Sequence, residues 1–235
     1  EGSGVSSGTT LTVGGVVAGV NGVRMFKSFP VVASDTLAST GVADGKLMRF
    51  KITADSHGPV GLFGLDFTIA TSSFATGGGV TAIKVMVYSD TGYSQTVSGS
   101  YGVSTGQFGE TAQPTANLAA FNATTTGYSP LQIPAGTTYY FQVEGTVSST
   151  QVGTSVTTTL NGDAAYIASA NLNIGTVGPT VPLTSSTTGA LADDNDDFIW
   201  SGNATTTTPA NGNDWANGYG ILGLPSGGFS QTRSN

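Results

Sequence analysis

The sequence contains no cysteine, a single histidine and few charged residues, which make up 9% of its 235 positions. Without cysteine no disulfide can form, so burial or assembly must supply the stability of an exported chain. One histidine excludes a zinc site built from several histidines. No apolar run reaches the roughly 18 residues that a membrane-spanning helix needs. We therefore expect neither a zinc site built on several histidines nor a membrane-spanning helix.

Positive charge is also scarce. The sequence contains seven Lys and Arg and fourteen Asp and Glu, which gives a net charge of −7. Only Arg233 among the basic residues lies in the second half of the chain. No basic cluster is visible, so nucleic acid and anionic membranes are not expected partners. A surface with so few charges offers little repulsion to a second copy of the same chain.

Glycine, serine and threonine are abundant, with 35 Gly, while 38% of the residues are hydrophobic. Threonine fits a pleated surface and glycine supplies the positive φ angles of tight turns, whereas all three residues are poor helix formers. Disorder is the competing interpretation of such a composition. The clean alternation of large apolar residues argues against disorder and for a folded β protein.

Alternation with a period of two predicts the strands. In Lys46–Ala54, Met48, Phe50 and Ile52 share one face and the charged residues share the other. Repeated short strands separated by turn signals predict an antiparallel β-sandwich, of jelly-roll or immunoglobulin-like type, over residues 23–235. The other predicted strands are Val23–Val32, Leu62–Ala70, Val80–Ser89, Tyr93–Val97 as a hairpin partner, Thr137–Val147, Val152–Leu160, Ala165–Ser169, Leu172–Val177 and Phe198–Trp200, with 99–127 as a glycine-rich excursion.

Residues 1–22 are predicted to be an N-terminal extension. After a Gly- and Ser-rich leader, the uncharged stretch Thr9–Val20 places Leu11, Val13 and Val17 on one parity. Two interpretations stay open: a first strand of its own sandwich, or a donor strand that adds to a sheet edge of a neighbouring copy. The chain begins with Glu rather than Met, from which we expect a secreted, cell-surface protein whose signal peptide has been removed.

An acidic run precedes the strand at Phe198. Asp193, Asn195 and Asp197 have the spacing of the first half of an EF-hand loop, although Phe198 stands where that loop needs Gly. Because four carboxylates within five residues repel one another, a cation would relieve the repulsion. The candidate cofactor is therefore Ca²⁺ on these three residues, and the alternative is a solvated acidic turn.

Other chemistry-bearing residues have simpler explanations. His57 lies in the turn Asp55–Pro59, where turn chemistry accounts for the same residues as a catalytic triad would. The remaining acids are mostly single and lie in turns, which does not suit the paired carboxylates of a glycosidase. We therefore expect a protein that is not an enzyme. Asn122 and Asn203 each begin an N-glycosylation sequon in a Thr-rich loop.

Two groups of residues, which cover the core strands and the C-terminal tail, carry a family resemblance. The first is Arg24–Pro30 with Arg49–Asp55, and the second is Asp196–Asn203 with Asn213–Tyr219 and Gly223–Pro225. The sequence resembles uncharacterised, exported β-rich proteins of candidate-phyla (Patescibacteria-like) bacteria, which implies a cell-surface setting and assigns no catalytic residue. A looser similarity is to filament subunits that polymerise by donor-strand exchange.

Two functions follow as hypotheses. The first is a structural subunit of an extracellular, pilus-like filament or surface assembly, a homopolymer in which the N-terminal segment adds as a strand to the next copy. The alternative is an adhesin or carbohydrate-binding module that stacks surface glycans on Trp200, Trp215 and Tyr219. The same rings could instead plug one end of the sandwich.

Overall fold

The chain is built almost entirely of short strands in the computed structural model, which describes residues 2–3, 10–11, 25–99, 101–102, 104–114, 117–123, 130–166, 195–203 and 215–235. One turn of 3-10 helix, Val42–Asp44, interrupts the strands. No helix in these ranges has the length and hydropathy of a membrane span. The strands are β1 Gly2–Ser3, β2 Thr10–Leu11, β3 Pro30–Ser34, β4 Lys46–Ala54, β5 Val60–Ser72, β6 Gly79–Tyr88, β7 Tyr101–Gly102, β8 Gln107–Ala112, β9 Leu118–Asn122, β10 Leu131–Ile133, β11 Thr138–Ser148, β12 Ser155–Leu160, β13 Phe198–Ser201, β14 Trp215–Ala216 and β15 Phe229–Ser234.

Two sheets pack face to face, which confirms the predicted all-β sandwich. The first sheet has the order β3-β4-β11-β6-β8-β7, and the second has the order β14-β13-β5-β12-β15, with β9 and β10 also paired to β5. Every ladder between these strands is antiparallel except the short parallel pair β7 and β8. The 13-residue β5 is the longest strand and organises the second sheet.

Phenylalanine rings join the two sheets in the core. Phe50 of β4 stacks on Phe141 of β11 at 4.9 Å between ring centroids. It also contacts Phe67 of β5, in the opposite sheet, at 5.9 Å. All three side chains are fully buried, and each such burial stabilises the fold by about 1.5–3 kcal/mol.

The predicted strands at Lys46–Ala54, Leu62–Ala70, Val80–Ser89 and Thr137–Val147 are present with shifts of one or two residues at most of their ends. The prediction of a strand at Tyr93–Val97 is wrong. The Asp90 carboxylate there accepts backbone N–H groups from Ser94 and Gln95 and folds the segment into a turn, so that only Thr96 bridges to Tyr88. Most of Ala165–Ser169 and all of Leu172–Val177 lie outside the described residues.

The outer strands β3 and β15 are capped by the chain itself. The Val32 N–H of β3 donates to the Leu222 carbonyl at 2.9 Å. At β15, the Ser234 N–H donates to the Ser39 carbonyl and the Gly41 N–H donates to the Ser234 carbonyl, at 2.7 and 2.8 Å. Capping of this kind prevents uncontrolled pairing with other chains.

The N-terminal strands form a separate small sheet. Gly2 pairs with Leu11 and Ser3 pairs with Thr10 in an antiparallel ribbon. In the part of the chain that the structure describes, neither β1 nor β2 pairs with a strand of the sandwich. The predicted polymerisation residues Val13 and Val17 lie outside the described residues, and the division into 1–22 and 23–235 stays a prediction.

Candidate functional site

The main polar cluster of the fold occupies a break in the second sheet, and we call it the acidic junction: Asp66, Asn161, Asp163, Asn195, Asp196, Asp197 and Asn217. Along one edge of β5, β12 pairs with residues 67–72 and β13 with residues 61–65. At the break between them, the Asp66 N–H donates to the Asp197 carbonyl at 2.8 Å, and the Asn161 N–H donates to the Asp66 carbonyl at 2.9 Å. All members except Asn195 are buried.

The carboxylate of Asp163 connects two distant segments within the junction. Its Oδ1 accepts the backbone N–H of Asp197 at 3.0 Å, and its Oδ2 accepts the backbone N–H of Gly218. Burial raises the pKa of Asp163, although the backbone N–H donors act in the opposite direction. The side chain therefore serves as an acceptor that holds backbone in place.

Asn217 completes the connection from the other side. Its Nδ2 donates to the carbonyls of Ala165 and Asn195 at 2.8 and 2.7 Å. The backbone carbonyl of Asn217 accepts the indole N–H of Trp200 at 2.8 Å. Through its side-chain amide and its backbone carbonyl, Asn217 thus joins the segments 161–166, 195–201 and 215–219.

Two of the three predicted calcium ligands lie in the acidic junction. The Oδ1 atom of Asn195 accepts the Ala165 N–H at 2.6 Å. Asp197 is 1% exposed, and its Oδ1 accepts a hydrogen bond from Asn161 Nδ2 at 3.5 Å. Asp193 lies outside the described residues. Within the ranges that the structure describes, no three His, Cys, Asp or Glu side chains are grouped to hold a metal ion. Calcium binding by Asp193, Asn195 and Asp197 stays a prediction.

The two tryptophans belong to the core. Trp200 is 3% and Trp215 is 1% exposed, and their rings pack against Phe26 at 4.8 Å and Phe63 at 5.4 Å. The interpretation of these rings as a plug of the sandwich therefore fits, and neither indole offers a face to a sugar. Of the three proposed stacking residues only Tyr219 is exposed.

The two sequons differ in their surroundings. Asn122 is half-buried in β9, opposite Gly64. Asn203 is 7% exposed, and its Nδ2, the atom that would carry a glycan, donates to Gln132 Oε1 at 2.6 Å. Glycosylation of Asn203 in the folded chain would require that this contact be broken and the side chain be exposed.

His57 takes part in a local turn. Its Nδ1 lies 2.6 Å from Asp55 Oδ1, and its backbone N–H donates to the same oxygen at 2.9 Å. The backbone N–H and side chain of His57 lower the pKa of Asp55. The histidine side chain is 80% exposed, so these contacts describe a solvated turn and fit the structural explanation of the motif.

A second cluster, the tyrosine–arginine face, lies on the outer surface of the first sheet. The Arg49 guanidinium carbon stands 3.9 Å from the ring centroid of Tyr93, and Tyr93 Oη donates to Asp35 Oδ2 at 2.9 Å. The rings of Tyr88 and Tyr140 make T-shaped contacts with the Tyr93 ring, at 5.4 and 5.9 Å between centroids. Burial and the hydrogen bond to Asp35 raise the pKa of Tyr93. The contacts fix the turn that contains Tyr93 onto the sheet.

Sequence reasoning missed Asp163 and Asn217, because their partners are remote in sequence. One sequence signal is the pair Asn217-Gly218, because Asn-Gly favours turns and the Ile221 N–H closes a turn on the Gly218 carbonyl. No protein-family model matches the chain, and no curated protein matches it.

Proposed function

We propose that this chain is a structural subunit of an extracellular filament or surface assembly, without catalytic activity, whose N-terminal segment adds as a strand to a neighbouring copy. The observation that supports the proposal is the separate ribbon of β1 and β2. Among the described residues these strands pair with each other and with neither sheet of the sandwich. The segment is therefore available as a linking element.

Physical chemistry favours a partner for this ribbon. An isolated two-stranded ribbon is marginally stable in water and gains stability when further strands extend it. The segment after β2 continues with uncharged residues, and Leu11, Val13 and Val17 share one parity. Val16, Ala18 and Val20 lie on the other parity, so the apolar face of Leu11 and Val13 is distinct only up to residue 13. Such a strand fits the edge of a sheet, where main-chain hydrogen bonds give affinity and side-chain pockets give register.

The sandwich has the properties of a rigid building block. It contains no cysteine, but polar side chains such as Asp163 and Asn217 fasten its segments together. Since β3 and β15 are capped by their own chain, we expect the added strand to meet another edge of the neighbouring copy. Few surface charges oppose close approach of identical subunits.

The test compares the whole chain with a variant that lacks residues 1–20. Negative-stain microscopy and light scattering should show filaments for the whole chain and monomers for the truncated one, with the same far-UV circular dichroism. Filaments of unchanged length from the truncated chain would rule the mechanism out.

A parity experiment tests the strand geometry. Leu11→Asp with Val13→Asp places charge on the apolar face and should abolish polymerisation. Thr10→Asp with Thr12→Asp adds the same charge on the opposite face and should preserve it. Equal loss in both double variants would point to charge repulsion rather than to a strand seated by one face.

A further inference from the structure

We infer that β15 is an exchangeable strand, which leaves its own sandwich and fills the equivalent position in a second copy of this chain. The inference rests on the proposed self-assembly but not on the N-terminal segment. It offers a way to link subunits whose outer strands are capped, because the vacated edge is filled by an identical strand.

The position that β15 occupies has the features of a peptide-binding groove. One side is a ladder of six residue pairs with β12, from Ser155 opposite Ser234 to Leu160 opposite Phe229. The other side meets the segment 38–41 and the beginning of β4. Backbone pairing along one edge combined with side chains in specific pockets is the usual form of strand recognition.

Two side chains of β15 anchor the strand. The Gln231 amide forms hydrogen bonds with both backbone groups of Arg49. Its Oε1 accepts the Arg49 N–H at 3.0 Å, and its Nε2 donates to the Arg49 carbonyl at 2.8 Å. The amide therefore continues the edge of β4 as another strand would. Nε2 also donates to the Asp35 carbonyl at 2.8 Å.

Arg233 is the second anchor, and it is 3% exposed. Nε donates to the Ala38 carbonyl at 2.7 Å, Nη1 to the Lys46 carbonyl at 2.6 Å, and Nη2 to the Thr40 carbonyl. The guanidinium also pairs with the Asp44 carboxylate. A planar fork with several fixed donors recognises this set of acceptors as a lysine could not.

None of these contacts depends on which chain supplies the strand. A neighbour's β15 would bring the same Gln and Arg to the same acceptors, so the exchanged and the closed forms contain the same interactions. The difference between them is limited to the conformation of the connecting segment and to the cost of association. This balance is the general reason why an element can exchange between identical subunits.

The connection to β15 is suited to opening. Residues 225–227 are exposed, and the turn is held by the Gly228 N–H, which donates to the Pro225 carbonyl at 2.8 Å. No heavy atom lies within 4 Å of the place that a Cβ on Gly227 would take. Leu224 is 4% exposed and remains anchored in the core. Residues 225–228 span at most about 14 Å when fully extended, which sets how far the start of the strand can lie from Leu224.

A cross-strand pair provides a direct assay. Thr157 and Thr232 are opposite each other, with their hydroxyl oxygens 2.8 Å apart. Because the N–H and carbonyl of Ser234 face away from β12, Thr232 is in a non-hydrogen-bonded pair, where the side chains are closest. The chain has no other cysteine, so the double variant Thr157→Cys, Thr232→Cys forms one defined disulfide.

The double variant is oxidised in dilute solution and after concentration, and then separated without reductant. Dilute protein should contain only the intrachain disulfide, while concentrated or assembled protein should contain covalent dimers and longer ladders. Each single cysteine variant is the control and should give no ladder. Intrachain disulfide alone at every concentration would overturn the exchange.

The two proposals fail separately. Filaments that require residues 1–20 but contain only intrachain disulfide would support the N-terminal mechanism and refute exchange of β15. Interchain ladders without filaments would support the exchange and refute the proposed filament.

Discussion

Replacement of the buried Arg233 by Met should destabilise the sandwich by about 3 kcal/mol. The guanidinium donates to three backbone carbonyls and to the Asp44 carboxylate. A hydrogen bond to a charged group contributes roughly 1.5–3 kcal/mol, and loss of one partner from a fully buried pair costs about 3–5 kcal/mol. The Asp44 side chain is 45% exposed, so water can replace the guanidinium there. The lower end applies here, because Ala38 and Thr40 are exposed residues whose carbonyls can bind water once the guanidinium is gone.

Differential scanning calorimetry measures the change. For a chain of this size, a loss of 3 kcal/mol lowers the unfolding temperature by about 6–12 °C. The unfolding temperature of Arg233→Lys should lie between those of the wild type and Arg233→Met, since lysine keeps the charge but lacks the planar guanidinium. Lys84→Met, at an exposed position of β6, is the control and should change little. An unfolding temperature for Arg233→Met within 2 °C of the wild type (a loss below about 1 kcal/mol) would refute the reasoning.

Three further predictions concern stability, each read from thermal or urea unfolding. Thr158→Val should stabilise the fold by about 1 kcal/mol, because the buried Thr158 hydroxyl has no hydrogen-bond partner among the described residues; Thr157→Val, which removes a cross-strand hydroxyl contact at the surface, should not stabilise it. Gly223→Ala should be strongly destabilising, since φ is +83° and the new Cβ would stand 1.8 Å from a carbonyl oxygen of β3, whereas Gly227→Ala meets nothing within 4 Å and should be tolerated. Burial acts to raise the pKa of Asp44, but hydrogen bonds from Arg233 and the Lys46 N–H outweigh it and lower the pKa below 3.8. The stability that this carboxylate contributes is therefore complete above pH 3.8 and is lost as the pH falls through the lowered pKa. Asp44→Asn should make the free energy of unfolding less dependent on pH in this acidic range.

The sequence predicts those strands whose inward residues are apolar. Lys46–Ala54 begins and ends where its alternation does. The strand β15 escapes the same reasoning because two of its inward residues are Gln231 and Arg233, which bind polar groups rather than the apolar core. The segment 99–127, predicted as a glycine-rich excursion, contains β7, β8 and β9. Its strands lack a clear apolar alternation, but single large residues such as Phe108 and Phe121 are buried in the core.

The acidic junction is predicted only in part. The acidic run draws attention to Asn195 and Asp197, and both belong to the cluster. Asp66 is hidden within an apolar strand, and the contact between Asp163 and Gly218 spans 55 residues of sequence. The alternation of apolar residues predicts which face of a strand a residue occupies, but it does not predict contacts between segments so far apart in sequence.

The antiparallel arrangement of β12 and β15 determines how the sandwich would respond to tension. A load applied at Asn235 enters the fold two residues from Arg233, along the direction of β15. The six pairs of that ladder then lie side by side across the pulling direction and must slide together, instead of parting one after another as in a hairpin opened from its ends. In a chain without cysteine, a pull along β15 is thus opposed by all six pairs at once.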